Sequence, residues 1–154
     1  MSESFVQIAD RLSEVVGTAL PRLRALDDAA AAQPRAPGKW SPKQVLGHLL
    51  DSETNNRQRF VRAPALPELV IPGYEQEAWV RAHGYAERPW AELVALWEAN
   101  NRNLTQVIRR IPESAAQVPV RIGDSEPVPL QFVASDYIRH LRHHLGQIGA
   151  DPGE

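Results

Sequence analysis

Four separate stretches of this chain carry apolar residues at steps of three and four, and runs rich in proline separate them. That alternation points to helices joined by irregular connections. In the first stretch Ile8, Ala9, Leu12, Val15, Val16, Ala19, Leu20 and Leu23 follow Phe5 at the period of an amphipathic helix. Pro21 falls inside the pattern, where it removes a backbone donor and crowds the preceding turn, so a kink or short break is expected there. The run "AAAAQPRAPGKW" closes the segment, with Pro34, Pro37 and Gly38 marking a loop.

The second stretch opens on "SPKQVLGHLL". Ser41 is placed to cap, Pro42 suits the first helical position and Gln44 completes a capping box. This helix should run to about Phe60 and stop in "RAPALPELVIPG", whose Pro64, Pro67, Pro72 and Gly73 leave no room for regular helix. A long irregular connection follows, with a short helix expected in "YEQEAWVRAH". Pro89 reopens a stripe of Leu93, Val94, Trp97, Leu104 and Ile108 that ends near Arg110. The segment 111–129 carries four prolines and a Gly-Asp-Ser turn, and its "VPVRI" piece reads equally as a small ribbon or as extended chain. The last stripe spans about Leu130 to Ile148. Connections this long imply an all-α bundle in which some neighbours are parallel. At 154 residues, one domain over 1–154 is expected.

Composition removes several function classes. The net charge is -2 and no basic run exists, which gives nucleic-acid binding no support. The N-terminus lacks the basic and apolar regions of a signal peptide and no long apolar run exists, so a cytoplasmic protein with no membrane partner is expected. There is no cysteine. Any metal must then be held by His and carboxylate, and any thiol chemistry must use a borrowed thiol.

Three of the five histidines fall within "HLRHH", residues 140–144. On a helical wheel Leu130, Ala134, Tyr137, Leu141, Leu145 and Ile148 share one face, with His140 and His144 on its flank and His143 turned toward solvent. The same wheel on the second helix puts Val45, Leu49 and Phe60 in the core and His48 at its edge. From there Ser52, Asn55, Asn56 and Arg59 continue a polar stripe that would line a polar pocket or a wet groove, with Arg59 reading equally as a solvated side chain near the helix end. If the two helices are neighbours, His48, His140 and His144 can meet on one ion, as bundles build metal sites from facing helices. Spacing alone leaves a metal site, a catalytic base and a solvated face open. Asp51 and Gln147 are candidates to orient the ligands, and solvated side chains otherwise. His83 reads as a surface residue, and the four tryptophans as packing.

"KWSPKQVLGHLLDSE" followed some ninety residues later by "HLRHHLGQI", with "IPGYEQEAWV" between, resembles the DinB/YfiT-like superfamily of bacterial helical bundles. These are the damage-inducible proteins, distinct from the DNA polymerase that shares the DinB name. The resemblance implies a four-helix bundle of up-down-down-up connectivity, often a homodimer, with nickel or zinc on three histidines. By position those are His48, His140 and His144, and Gln147 falls in the Gly-Gln step after the last of them. It also implies a metal-dependent enzyme acting on a small-molecule substrate, with transfer to or from a low-molecular-weight thiol such as bacillithiol or mycothiol as the leading expectation. Ser52, Asn56 and Arg59 would then bind substrate or thiol. The alternatives are a hydrolase in which the ion activates water, with Asp51, Glu53 or Asp136 as nominees for a base, and a non-enzymatic stress-related metal binder.

Overall fold

The computed structural model describes residues 2–151. Four long helices carry the core: α1 (Phe5–Ala25), α3 (Pro42–Arg62), α5 (Trp90–Arg109) and α6 (Leu130–Gln147). Between them lie two short helices, α2 (Asp28–Ala31) and α4 (Gln76–His83), and the strands β1 (Leu69–Ile71), β2 (Pro119–Ile122) and β3 (Val128–Pro129).

Local chemistry explains the helix starts. At α3 the Ser41 hydroxyl accepts from the Gln44 amide while the Gln44 side chain accepts from the Ser41 amide, so two amides that lack intrahelical partners are satisfied at once. Ser4 and Gln7 do the same for α1. Helix α4 is capped by the Glu75 carboxylate and stops at Gly84, whose φ of 62° suits glycine.

Three expectations need correction. Of the kink or short break expected at Pro21, the break does not occur: α1 runs through it, because Pro21 and Gly17, whose carbonyl loses its donor, both face solvent while Ala19, Leu20 and Leu23 stay buried. The run after α1 is not wholly loop, since Asp27 caps one turn of helix there. The protein is mostly helical but not all-α. Strands β1 and β2 pair in parallel, with Leu69 opposite Val120, and β3 pairs antiparallel to β2. This sheet ties the connection after α3 to the one before α6. Beside it, the carbonyls of Val118 and Ala116 accept from the amides of Leu130 and Gln131, the first donors of α6.

Contacts between helix ends set the packing. Trp90 Nε1 donates to the Leu23 carbonyl, and Arg109 pairs with Asp10, so the end of α1 meets the start of α5 and its start meets the end of α5. The Gln131 side chain donates to the Glu3 carbonyl, joining the starts of α1 and α6. Within the core, Tyr137 of α6 donates to Asn101 Oδ1 of α5 at 2.6 Å, and Asn101 donates to Glu53 Oε2 of α3 at 2.8 Å. Burial raises the Glu53 pKa well above the usual carboxylate range, which favours its protonated form. Among the described residues, no helix is long and apolar enough to cross a membrane.

Candidate metal centre

Helices α3 and α6 bring His48, His140 and His144 together, with one ring nitrogen of each within 4.8 Å of the others. His48 Nε2 lies 3.3 Å from His140 Nε2, and the three rings stand nearly perpendicular to one another, with centroids 4.5–5.1 Å apart. The sequence puts His48 at a helix border, but it is fully buried. Trp40, just before the α3 cap, covers it at a ring separation of 5.2 Å. His140 and His144 are half-buried, so access to the cluster is from the α6 side. His143 is exposed, as the wheel expects.

The electrostatics suit a cation. Burial, then the neighbouring His144 and His140, push His48 down to about 3. Burial, then His144 and Arg139, push His140 down to about 4. His144 is lowered mainly by burial, against a raising effect of Gln147. All three rings are therefore neutral near pH 7 and offer lone pairs. The facing Nε2 atoms of His48 and His140 can share only one proton, and His48 Nδ1 is buried with no partner. His144 Nδ1 donates to Gln147 Oε1 at 2.8 Å, which leaves its Nε2 as the free lone pair. This donor set fits one divalent transition metal.

The same shifts predict how metal-free protein responds to pH. Unfolded histidines take up protons from about 6.5 downward, whereas folded His140 and His48 resist until about 4 and about 3. The unfolded chain binds more protons across that interval, so stability falls as pH drops below about 6.5. Glu53 acts in the opposite sense: its contribution is present below about 4.5 and lost as pH rises through its raised folded pKa. The urea midpoint of chelator-treated protein should therefore fall as pH drops from about 6.5 toward 4, and Glu53→Gln should steepen that dependence by removing the opposing contribution of Glu53 above about 4.5.

Asp51, a candidate to orient a ligand, makes no hydrogen bond or ion pair with a ring of the cluster. Its Oδ1 accepts from the Tyr85 hydroxyl at 2.7 Å and lies 3.1 Å from His83 Nδ1. His83 is exposed, as the sequence expects, and it also partners a buried carboxylate. Glu53 is committed to Asn101, and Asp136 pairs with Arg139 at 2.6 Å. Ser52, Asn56 and Arg59 are all buried. Tyr85 and Tyr74 were not singled out by the sequence. Tyr85 lies flat on the backbone at Gly47, and that glycine beside His48 was the available signal. Tyr74 lies beside Arg59 and Ser52.

Residues 11–148 match the DinB superfamily, and the chain belongs to it. A relative from Oceanobacillus iheyensis, named as an inferred metal-dependent hydrolase, is 25% identical over 111 residues, or 72% of this chain and 64% of the relative. The chain thus spans less than two thirds of that relative's length. Similar too is YfiT of Bacillus subtilis, also named as an inferred metal-dependent hydrolase, at 25% identity over 139 residues, 89% of this chain and 78% of YfiT. The solved structure of YfiT, described as having an unusual four-helix bundle topology, superposes with a TM-score of 0.81 at 23% identity, covering 94% of this chain and 81% of YfiT. A mycothiol-dependent maleylpyruvate isomerase superposes with a TM-score of 0.78 at 14% identity, covering 96% of this chain and 62% of the isomerase. At these identities the two structures establish the fold.

Proposed function

We propose that His48, His140 and His144 hold one nickel or zinc ion and that the protein is a thiol-dependent transferase acting on a small molecule. A divalent ion there would supply the charge that lowers the pKa of a thiol and makes its sulfur nucleophilic near neutral pH. The observation that carries this reading is a neutral three-histidine cluster beside carboxylates whose hydrogen bonds and ion pairs all go to groups outside it. Asp51 holds Tyr85 and His83, Glu53 holds Asn101, and Asp136 holds Arg139. Hydrolysis calls for a base positioned to take a proton from water. A thiol needs no such base once its pKa is lowered. Partial exposure of His140 and His144 gives the reactants an entrance, and Trp40 closes the opposite side of His48.

The second reading is a metal-dependent hydrolase, favoured by the descriptions of the two sequence relatives. Assays of nickel- and zinc-loaded protein with electrophilic substrates and with esters or amides, each with and without thiol, separate the two. Turnover is expected only with both thiol and metal. Thiol-independent turnover of esters or amides would install the hydrolase reading. The proposal includes a cytoplasmic bacterial homodimer of single-domain chains with no nucleic-acid or membrane partner, to be checked by sedimentation. It also includes up-down-down-up connectivity, supported by which helix ends meet.

A further inference from the structure

Arg59 is the only buried arginine among the described residues, and it is buried without a counterion. The arginines that contact carboxylates in this structure lie at or near the surface. Arg59, 8% exposed, has one polar partner, the neutral Asn56 Oδ1, reached from Nη1 at 3.2 Å. Its Nε is buried with no acceptor. Removing a guanidinium from water costs free energy that a single amide oxygen does not recover. A structural arginine at this depth is expected to face a carboxylate or cap helix carbonyls, and Arg59 does neither.

The side chain is nonetheless held in place. Asn56 donates from Nδ2 to the Ser52 carbonyl at 2.9 Å and to Ser52 Oγ at 3.2 Å, which aims its Oδ1 at Arg59. Because Asn56 precedes Arg59 in α3, the guanidinium folds back toward the end of the helix that carries His48. With Nη1 occupied, the Nε/Nη2 edge remains, a planar two-donor fork that matches a carboxylate. The Tyr74 side chain lies beside it. One cation and one hydroxyl balance a single negative charge, whereas a phosphate dianion calls for more.

Resting on the metal-centre reading above, we propose that Arg59 anchors a carboxylate of the molecule whose other end enters the histidine cluster. His48 and Asn56 are eight residues apart, so the two ends are separated by about 12 Å along the helix. The ligand is therefore an elongated carboxylate. That group belongs either to the thiol or to the molecule it attacks, and the chemistry at Arg59 is the same for both.

The test uses cobalt-loaded protein, ω-mercaptoalkanoates of graded length and mercaptoalkanols of matching length. Calorimetry should show the carboxylates binding at least tenfold more tightly than the alcohols at one best length. Arg59→Gln should abolish that preference and Arg59→Lys, which keeps the charge but not the fork, should weaken it. Arg59→Met should unfold at or above the wild-type temperature, since an unpaired buried charge has been removed. No carboxylate preference at any length overturns the proposal. So does a marked loss of stability in Arg59→Met with the preference intact in Arg59→Gln, which identifies a structural arginine. If neither thiol series binds, the metal-thiol reading fails independently, and the ¹⁵N resonance of the Arg59 Nε–H titrated with alkanedioates decides the present one: a saturable shift sustains it and an unmoved resonance overturns it. Alkanedioate binding that survives saturating mercaptoalkanol assigns the carboxylate to the second substrate, and competition assigns it to the thiol.

Discussion

Alanine at His48, His140 or His144 is expected to reduce bound metal from about one ion per chain to background and to weaken competition with a chelator at least a hundredfold. Each of the three supplies a nitrogen to a cluster only 4.8 Å across, so none can be replaced by a neighbour. His143→Ala should keep its metal, because that ring is exposed and outside the cluster. Gln147→Ala should fall between them, losing roughly 10–100-fold in affinity as His144 Nδ1 loses its acceptor. Elemental analysis after dialysis checks all five proteins. Equal metal content in wild type and His48→Ala would remove the site. Circular dichroism of chelated wild type should retain the helices, whose apolar core is independent of the ion. Melting on chelation would make the ion structural.

Gly47→Ala is expected to be the most damaging small substitution in the chain, destabilising it by about 2–4 kcal/mol. A Cβ there would lie 2.0 Å from Tyr85 Cδ2 and 2.3 Å from Cγ. These are atoms at the base of the ring, so the whole side chain has to leave. Its hydroxyl would then abandon Asp51, a carboxylate 1% exposed whose Oδ2 already has no partner. Urea denaturation measures the effect. Gly47→Ala combined with Tyr85→Ala should cost less than the sum of the two single changes, because the second relieves the clash made by the first. Strict additivity would show that the clash is absorbed elsewhere.

Residues that act locally or at helical spacing are legible in the sequence. Ser41, Pro42 and Gln44 announce α3 because a capping box is a matter of neighbours in sequence. The wheel separates His140 and His144 from His143 because one face of a helix is fixed by a period of 3.6 residues. What stayed hidden depends on distant partners. Strand β1 is three residues long, flanked by Pro67 and Pro72, and owes its existence to pairing with Val120, 51 positions away from Leu69. No pattern in residues 69–71 states that pairing. The full burial of His48 is hidden from a helical wheel because Trp40, outside its own helix, covers it. The partners of Asp51 stay hidden because Tyr85 and His83 follow an irregular connection whose path the sequence leaves open.

The bonds from Glu53 through Asn101 to Tyr137 link α3, α5 and α6. Apolar side chains attract one another from many angles, so a core of leucine and valine alone permits two helices to roll or slip by part of a turn. Hydrogen bonds of 2.6 and 2.8 Å do not. Tyr137 is three residues before His140, and Glu53 is five after His48. A protein engineer thus has wide freedom to rewrite the greasy interior of this molecule for heat tolerance or for a new substrate. The histidine geometry will survive such a redesign if Glu53, Asn101 and Tyr137 stay fixed, and will drift if they are traded for hydrophobic residues of equal size.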